Sequence, residues 1–248
     1  MTRISAMVLT RNAERHLADC LGSLQWVDEI IVMDDNSTDH TAAIAQQFNA
    51  RLFSRQLDDF SAQRNAALEH CTGEWVLVVD ADEWLTPELQ QEIQQRLAGA
   101  VAESAFRMPR KNLFFGRWIR GCGWYPDRVL RLFRREGARY SGMVHEGLDV
   151  HGAVGQLNGA LWHDSYEGLE NYLEKLNRYT TMAASEMHRA GKRATVLDVL
   201  TQPAYAFLKY YLLQKGFIDG IEGLLVSALS SFYVLMKYSK LYYLGKAR

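Results

Sequence analysis

The amino-acid sequence predicts an α/β fold: a Rossmann-like, mostly parallel sheet flanked by helices, followed by a C-terminal helical extension. Three observations carry this expectation. Short apolar runs alternate with helical patterns from Ile4 to Leu97. Polar clusters follow several of those runs directly. From Tyr166 onward the pattern is helical only.

The elements follow in order. Ile4 to Leu9 is an apolar run of strand length, and Ala13, Leu17, Leu21 and Leu24 then recur at helical spacing. Glu29 to Met33 is a second strand. It runs into Asp34-Asp-Asn-Ser-Thr-Asp39, a turn and cap cluster, and a helix follows from Thr41 to Phe48. Arg51 to Ser54 is a short strand and Ser61 to His70 a helix. Trp75 to Val79 is the most apolar strand and ends in Asp80-Ala-Asp82. Thr86-Pro87 reads as a cap with proline at the first helical position, and Leu89, Ile93 and Leu97 form the buried stripe behind it. From Ala105 to Leu161 short strand-like pieces carry many arginines and aromatics. Leu169, Leu173 and Leu176 fit a helix, as does Val196 to Leu213.

In an open α/β sheet, ligands bind beyond the carboxyl ends of the strands. Thr10-Arg-Asn12, Asp34-Asp35 and Asp80-Ala-Asp82 should therefore converge on one crevice. Ser37, Thr38 or Asp39 caps the following helix, which leaves Asp35 to accept a hydrogen bond from a ligand. The two carboxylates of Asp80 and Asp82 suit Mg²⁺ or Mn²⁺, which commonly keep positions for phosphate oxygens.

Composition narrows the function classes. Of 248 residues, 48% are hydrophobic and 23% charged, a globular balance. Three scattered cysteines without a CxxC exclude a disulfide scaffold and a cysteine-based zinc module, and suit a reducing compartment. The opening residues show no apolar region ending in a cleavage site, so no signal peptide is expected. No GxGxxG follows the first strand, which argues against a dinucleotide-binding dehydrogenase. Residues 1–104 carry 7 Lys and Arg against 17 Asp and Glu, whereas residues 105–139 carry 10 against 2. The basic middle points to anionic ligands. No nucleic-acid-binding motif is present, and nucleic acid is not an expected partner.

The tail from Ile218 to Met236 has the length of a membrane-spanning helix, but Asp219, Glu222 and several small or polar interruptions weaken that reading. An amphipathic helix packed on the domain or lying on a bilayer, with Lys237, Lys240, Lys246 and Arg248 at anionic headgroups, fits better.

Three segments in register resemble one enzyme family: Val32-Met-Asp-Asp-Asn-Ser-Thr-Asp39, Gln63-Arg-Asn-Ala-Ala-Leu68, and Thr72-Gly-Glu-Trp-Val-Leu-Val-Val-Asp-Ala-Asp-Glu83. Together they are similar to the nucleotide-sugar half of the family 2 glycosyltransferases with the GT-A fold. Later segments resemble the bacterial lipopolysaccharide core glucosyltransferases, which attach β-1,4-glucose to an inner-core heptose. These are Arg131-Leu-Phe-Arg-Arg135, Val144-His-Glu-Gly-Leu148, Leu161-Trp-His-Asp-Ser-Tyr166, Tyr172 to Tyr179 and Lys215-Gly-Phe-Ile-Asp-Gly-Ile-Glu-Gly223.

The resemblance implies a division into a GT-A catalytic domain over residues 1–165 and a helical region over residues 166–248. Within the first, residues 1–100 would take the donor and residues 101–165 the acceptor. It implies an inverting, metal-dependent transfer of a sugar, glucose from UDP-glucose, onto lipopolysaccharide core heptose at the cytoplasmic face of the inner membrane. Thr10 and Asn12 would line base and ribose, Asp35 would hold the base edge, and Arg64 would reach base or diphosphate. Asp80 would touch ribose or metal-bound water. Asp82 would ligate Mn²⁺ or Mg²⁺, and His163 would meet the metal or the diphosphate. Glu146 matches the position of the catalytic carboxylate, with Asp127, Asp164 and His145 as rivals. The family often carries Glu-Asp there, whereas this chain carries His145-Glu146. Nine basic side chains from Arg107 to Arg135 would meet phosphates and acidic sugars of the acceptor, and Trp118, Trp124 and Tyr125 would stack on sugar faces. Two other readings stay open: a glycosyltransferase for a polyprenyl phosphate, capsule or protein acceptor, and a non-catalytic sugar-nucleotide-binding module.

Overall fold

The computed structural model describes residues 2–142, 147–166 and 168–246. The chain divides into two compact units. The first comprises Met1–Arg110 and Arg128–His163, the second Lys111–Asp127 and Asp164–Arg248.

The first unit begins with four strands, β1 (Ile4–Thr10), β2 (Glu29–Asp34), β3 (Arg51–Ser54) and β4 (Trp75–Asp80). They lie parallel in the order β3-β2-β1-β4. Between them run α1 (Leu17–Gly22), α2 (Thr41–Gln47) and α3 (Phe60–Glu69). After β4 come β5 (Glu83–Leu85) and α4 (Pro87–Leu97). The remaining strands are β6 (Ala105–Phe114), β7 (Arg117–Trp118), β8 (Asp127–Arg134), β9 (Arg139–Ser141), β10 (Gly147–Asp149), β11 (Val154–Gln156) and β12 (Leu161–His163), of which β7 and the end of β6 from Lys111 fall in the second unit. Beyond β4 the sheet is mixed: β8 runs antiparallel to β4, and β12 antiparallel to β5.

The period of two that marks a strand separates two cores. Ile4, Ala6, Val8, Ile30, Val32, Trp75, Leu77 and Val79 face one side, with Leu17, Cys20 and Leu21 of α1 and Leu89, Ile93 and Leu97 of α4. Met7, Ile31, Met33, Val76 and Val78 face the other, against Ala67 and Leu68 of α3. Each fully buried aliphatic side chain contributes roughly 1.5–3 kcal/mol. Thr86 caps α4 as expected: its hydroxyl accepts from the Leu89 N–H, with Pro87 in the first turn. Asp59 caps α3 by accepting from the Ser61 and Ala62 amides. The first helix is shorter than the apolar spacing predicts. Helical geometry starts at Leu17, because residues 12–16 form the turn that carries Asn12 at positive φ.

The second unit holds α5 (Leu169–Arg189), α6 (Val196–Leu208), a π-helical turn (Lys209–Leu213), a 3₁₀ turn (Gly216–Asp219) and α7 (Gly220–Lys246). α7 packs against α5 and α6. Asp219, 2% exposed, accepts from the backbone amides of Arg120 and Gly121 and so pins the Arg120–Cys122 loop. Gly223 is required here: a Cβ at that position would sit 1.8 Å from the Gly216 carbonyl oxygen. The stretch Gly216–Lys246 is helical for 31 residues, has a mean hydropathy of 1.4 over its most apolar window, and buries 22% of that window.

Candidate active site

The register of the parallel strands brings the predicted polar clusters together. Thr10 pairs with Asp34 across β1 and β2, and Leu9 pairs with Asp80 across β1 and β4. The Thr10 hydroxyl donates to Asp34 Oδ1 at 2.8 Å, and the Ser37 hydroxyl donates to the same oxygen at 2.5 Å. Asn12, at φ 47°, accepts from the Thr38 amide through its side-chain carbonyl at 2.9 Å. His40, not Ser37, Thr38 or Asp39, occupies the N-cap of α2 and makes no side-chain cap bond, while Asp39 accepts from the Thr41 amide at 3.0 Å.

Asp35 is less open than the sequence suggests. One oxygen accepts from Arg11 at 2.8 Å and the other from the Leu57 amide at 2.8 Å, leaving the side chain 8% exposed. Each oxygen keeps a second lone pair for a ligand. A pocket of about 170 Å³ opens beside it, lined by Leu9, Thr10, Arg11, Asp35, Leu57, Phe60 and Gln63. The exposed Phe60 ring and the polar rim give that pocket one stacking surface and several hydrogen-bonding groups.

Asp80 and Asp82 differ sharply in environment. Arg131 donates to Asp80, and Arg64 lies 3.3 Å from it. Burial pushes the Asp80 carboxyl up, but the two guanidiniums outweigh burial and hold it below the ordinary carboxylate range. Arg131 also donates to Glu83 at 2.8 Å, and Arg110 reaches the same oxygen at 3.2 Å. Glu83, fully buried, accepts from the Asp80 amide as well. Asp82 instead faces His163, Oδ2 to Nε2 at 3.6 Å, across the β5–β12 pair where His163 lies opposite Glu83. Burial raises the Asp82 carboxyl, His163 opposes that, and Asp80 and Glu83 add to it.

The donor set of Asp82 and His163 fits a divalent cation. Mg²⁺ and Mn²⁺ sites commonly use one or two protein ligands and complete their shell with substrate phosphates and water. Among the described residues no group of three or more His, Cys, Asp or Glu surrounds a common point.

A second cavity, about 530 Å³, is lined by Arg64, Asp80, Arg107, Arg128, Val129, Leu130, Arg131, Tyr140, Gly147 and Leu148. The expected catalytic carboxylate Glu146, and its neighbour His145, lie outside the described residues. Asn65 of the Gln63-Arg-Asn65 motif positions the strand that leads to them. Its side chain donates to the Tyr140 carbonyl and accepts from the Tyr140 amide, both at 2.9 Å. Sequence reading missed Asn65, Glu83 and Arg131 as site-building residues. The signal available was their place inside the motifs, not their chemistry. Of the rivals, Asp127 lies 3.4 Å from the Asn112 amide group, and Asp164 is 6% exposed.

The basic run is mostly spent on internal partners. Arg110 and Arg131 pair with Glu83, Arg134 with Glu74, Arg117 with Glu222 and Arg120 with Asp219. The aromatics are likewise engaged. Trp118 meets Tyr125 edge-on, and Trp124 packs against Phe114 and Tyr166.

The model for "Glycosyl transferase family 2" matches residues 5–142. A lipopolysaccharide core biosynthesis glycosyltransferase of Rhizobium meliloti, LpsC, is 29% identical over 96% of this chain and 92% of its own length. An uncharacterised glycosyltransferase of Rickettsia typhi is 27% identical over 97% of this chain and 87% of its own. Among solved structures, glucosyl-3-phosphoglycerate synthase from Mycobacterium tuberculosis, solved with Mn²⁺, UDP and phosphoglyceric acid, superposes with a TM-score of 0.52. It shares 19% identity and covers 78% of this chain and 80% of that one. The fold is the GT-A fold, as expected.

Proposed function

Since the chain belongs to glycosyl transferase family 2 and resembles a lipopolysaccharide core glycosyltransferase over most of its length, we propose that it is an inverting, metal-dependent glucosyltransferase acting in lipopolysaccharide core synthesis. In this reading it transfers glucose from UDP-glucose to an inner-core heptose. The observation that carries the reading is the convergence of Thr10, Asp35, Asp80 and Asp82 at the carboxyl ends of β1, β2 and β4. What supports the acceptor assignment is the similarity to LpsC over nearly the whole chain. The division into a catalytic part, 1–165, and a helical part, 166–248, is kept in this proposal.

In the proposed mechanism the nucleoside occupies the pocket beside Asp35, where Thr10 shapes the wall and Phe60 offers a ring face; Asn12, two residues on from Thr10, would meet the ribose from outside that lining. Asp82 and His163 would hold Mn²⁺ or Mg²⁺, which supplies positive charge to a departing diphosphate. Arg64, fixed by Asp80, adds a guanidinium to the same side. Glu146 takes the proton of the acceptor hydroxyl as that oxygen bonds to the anomeric carbon and the bond to the UDP oxygen breaks. Asn65 holds the Tyr140 end of the segment that carries this base.

We further propose that the helical part rests on the cytoplasmic face of the inner membrane. Leu197, Leu200, Leu208, Leu213, Phe217 and Ile221 are all more than half exposed along α6, the turns and the start of α7. Exposed apolar side chains in such number mark a contact surface.

Calorimetric titration with UDP, GDP, CDP and UDP-glucose, each with Mn²⁺ and with EDTA, tests the donor reading. Metal-dependent binding of UDP and UDP-glucose is expected. Preference for GDP or CDP would overturn the glucose donor, and no binding to any would overturn the enzyme's proposed donor class.

A further inference from the structure

Arginines carried by neighbouring strands of the first unit part company in what they bind. Arg131 pairs with Asp80 and Glu83, Arg110 with Glu83, and Arg64, from α3, with Asp80. Arg107 and Arg128 have no carboxylate partner among the described residues. Arg107 is exposed, and Arg128 donates from Nη1 to the Leu157 carbonyl at 2.9 Å. Both line the 530 Å³ cavity, whose single described carboxylate, Asp80, is already committed to Arg131 and Arg64. The cavity therefore carries an unbalanced positive charge on two planar, bidentate donors. Its volume falls within the range of small-molecule sites, roughly 300–1,000 Å³.

Resting on the proposed transfer reaction, we propose that this cavity is an anion subsite for the acceptor. Arg107 and Arg128 bind a phosphate or carboxylate on the glycan beside the sugar that receives glucose. Arg64 and Asp80 border both this cavity and the donor side, but two features separate it from the nucleoside pocket and from the Asp82–His163 pair. None of the residues lining the nucleoside pocket lines this cavity, and neither Asp82 nor His163 does. Gly147 and Leu148, which do line it, directly follow Glu146 in the chain, so the cavity borders the segment that holds the base. Guanidinium groups suit both oxyanions, through paired N–H donors. This subsite selects the acceptor by charge, whereas the residues beside Asp35 select the donor by its base.

The experiment is binding of three synthetic acceptors to the full chain saturated with UDP and Mn²⁺: a neutral heptoside, the same heptoside bearing a phosphate monoester, and a heptosyl disaccharide whose second sugar is a carboxylic acid. The same titrations are made on Arg107→Gln/Arg128→Gln and on the single Arg107→Gln, whose exposed side chain has no folding role. At least one anionic acceptor is expected to bind about tenfold or more tighter than the neutral one, and which one does identifies the oxyanion. The single variant should lose part of that preference and the double variant all of it, with UDP affinity unchanged. Equal binding of all three acceptors by the wild-type chain overturns the proposal. So does a variant that keeps the preference, or one whose UDP affinity falls in step, which would give the cavity to the donor diphosphate. Failure of the wild-type chain to bind UDP at all would instead count against the donor reading.

Discussion

Arg131 Nη2 lies 2.8 Å from Glu83 Oε1, and the same nitrogen donates to Asp80. Arg131 is 9% exposed and Glu83 is fully buried. This pair divides the Asp80-Ala-Asp82-Glu83 run into two tasks. Asp80 and Glu83 anchor the guanidinium that joins β4 to β8, and Asp82 is left to face His163. An ion network in such a place fixes geometry more than it stabilises, but breaking it from one side strands a buried charge.

Arg131→Met should therefore cost about 3–5 kcal/mol in urea unfolding, since Asp80 and Glu83 then lose their shared partner. A change below about 1 kcal/mol would show that Arg110 and Arg64 suffice.

Glu29 sets an acid limit. Burial pushes its carboxyl up, but hydrogen bonds from Ser5, the Thr72 amide and hydroxyl, and Arg51 outweigh that and bring it down to about 2 from 4.5. A carboxyl lowered in the folded state stabilises above its unfolded value and loses that contribution as pH falls through the folded one. Wild type should thus lose roughly 2–3 kcal/mol between pH 4.5 and 2 that Glu29→Gln does not lose. Denaturant titrations at the two ends of that window check it. Parallel pH profiles for the two proteins would contradict it.

Gly223→Ala should disrupt the second unit, because the new methyl would meet the Gly216 carbonyl at 1.8 Å. Overpacking of this kind costs about 3 kcal/mol or more where backbone must move. Limited proteolysis should show early cleavage near Arg120, whose loop Asp219 pins. Wild-type protection there would refute the packing account.

Glu146→Gln should lower transfer by about 10²–10⁴-fold with UDP affinity kept, as for loss of a general base. Asn65→Ala should lower kcat without changing UDP binding, because its side chain holds the Tyr140 backbone leading to that residue. If Asn65→Ala weakens UDP binding instead, the motif serves the donor directly.

Vesicles containing anionic lipid should carry the chain in flotation, and replacing Leu197, Leu200, Leu213 and Ile221 with serine should release it. Equal flotation of the two proteins would place the membrane contact elsewhere.

Much of the first unit was legible in the sequence, because its signals are local. Thr86-Pro87 announced a helix start, and Trp75 to Asp80 announced a buried strand. The crevice was legible as well, since parallel strands put their carboxyl ends on one side. Partner choice was not legible. Nothing in the spacing of Arg107 to Arg135 says that Arg134 reaches Glu74 or that Arg131 reaches Glu83, because both partners are distant in sequence. Asp35 looked open for the same reason: Arg11 and the Leu57 amide reach it only in the folded chain.

The most direct test is a transfer assay with purified full-length chain, radiolabelled UDP-glucose, Mn²⁺ and a heptose-bearing core acceptor, with the product's linkage read by NMR. The account predicts metal-dependent formation of a β-linked glucosyl-heptose. A glucosyl product with the α configuration, or no transfer from UDP-glucose while another nucleotide sugar is used, would contradict it.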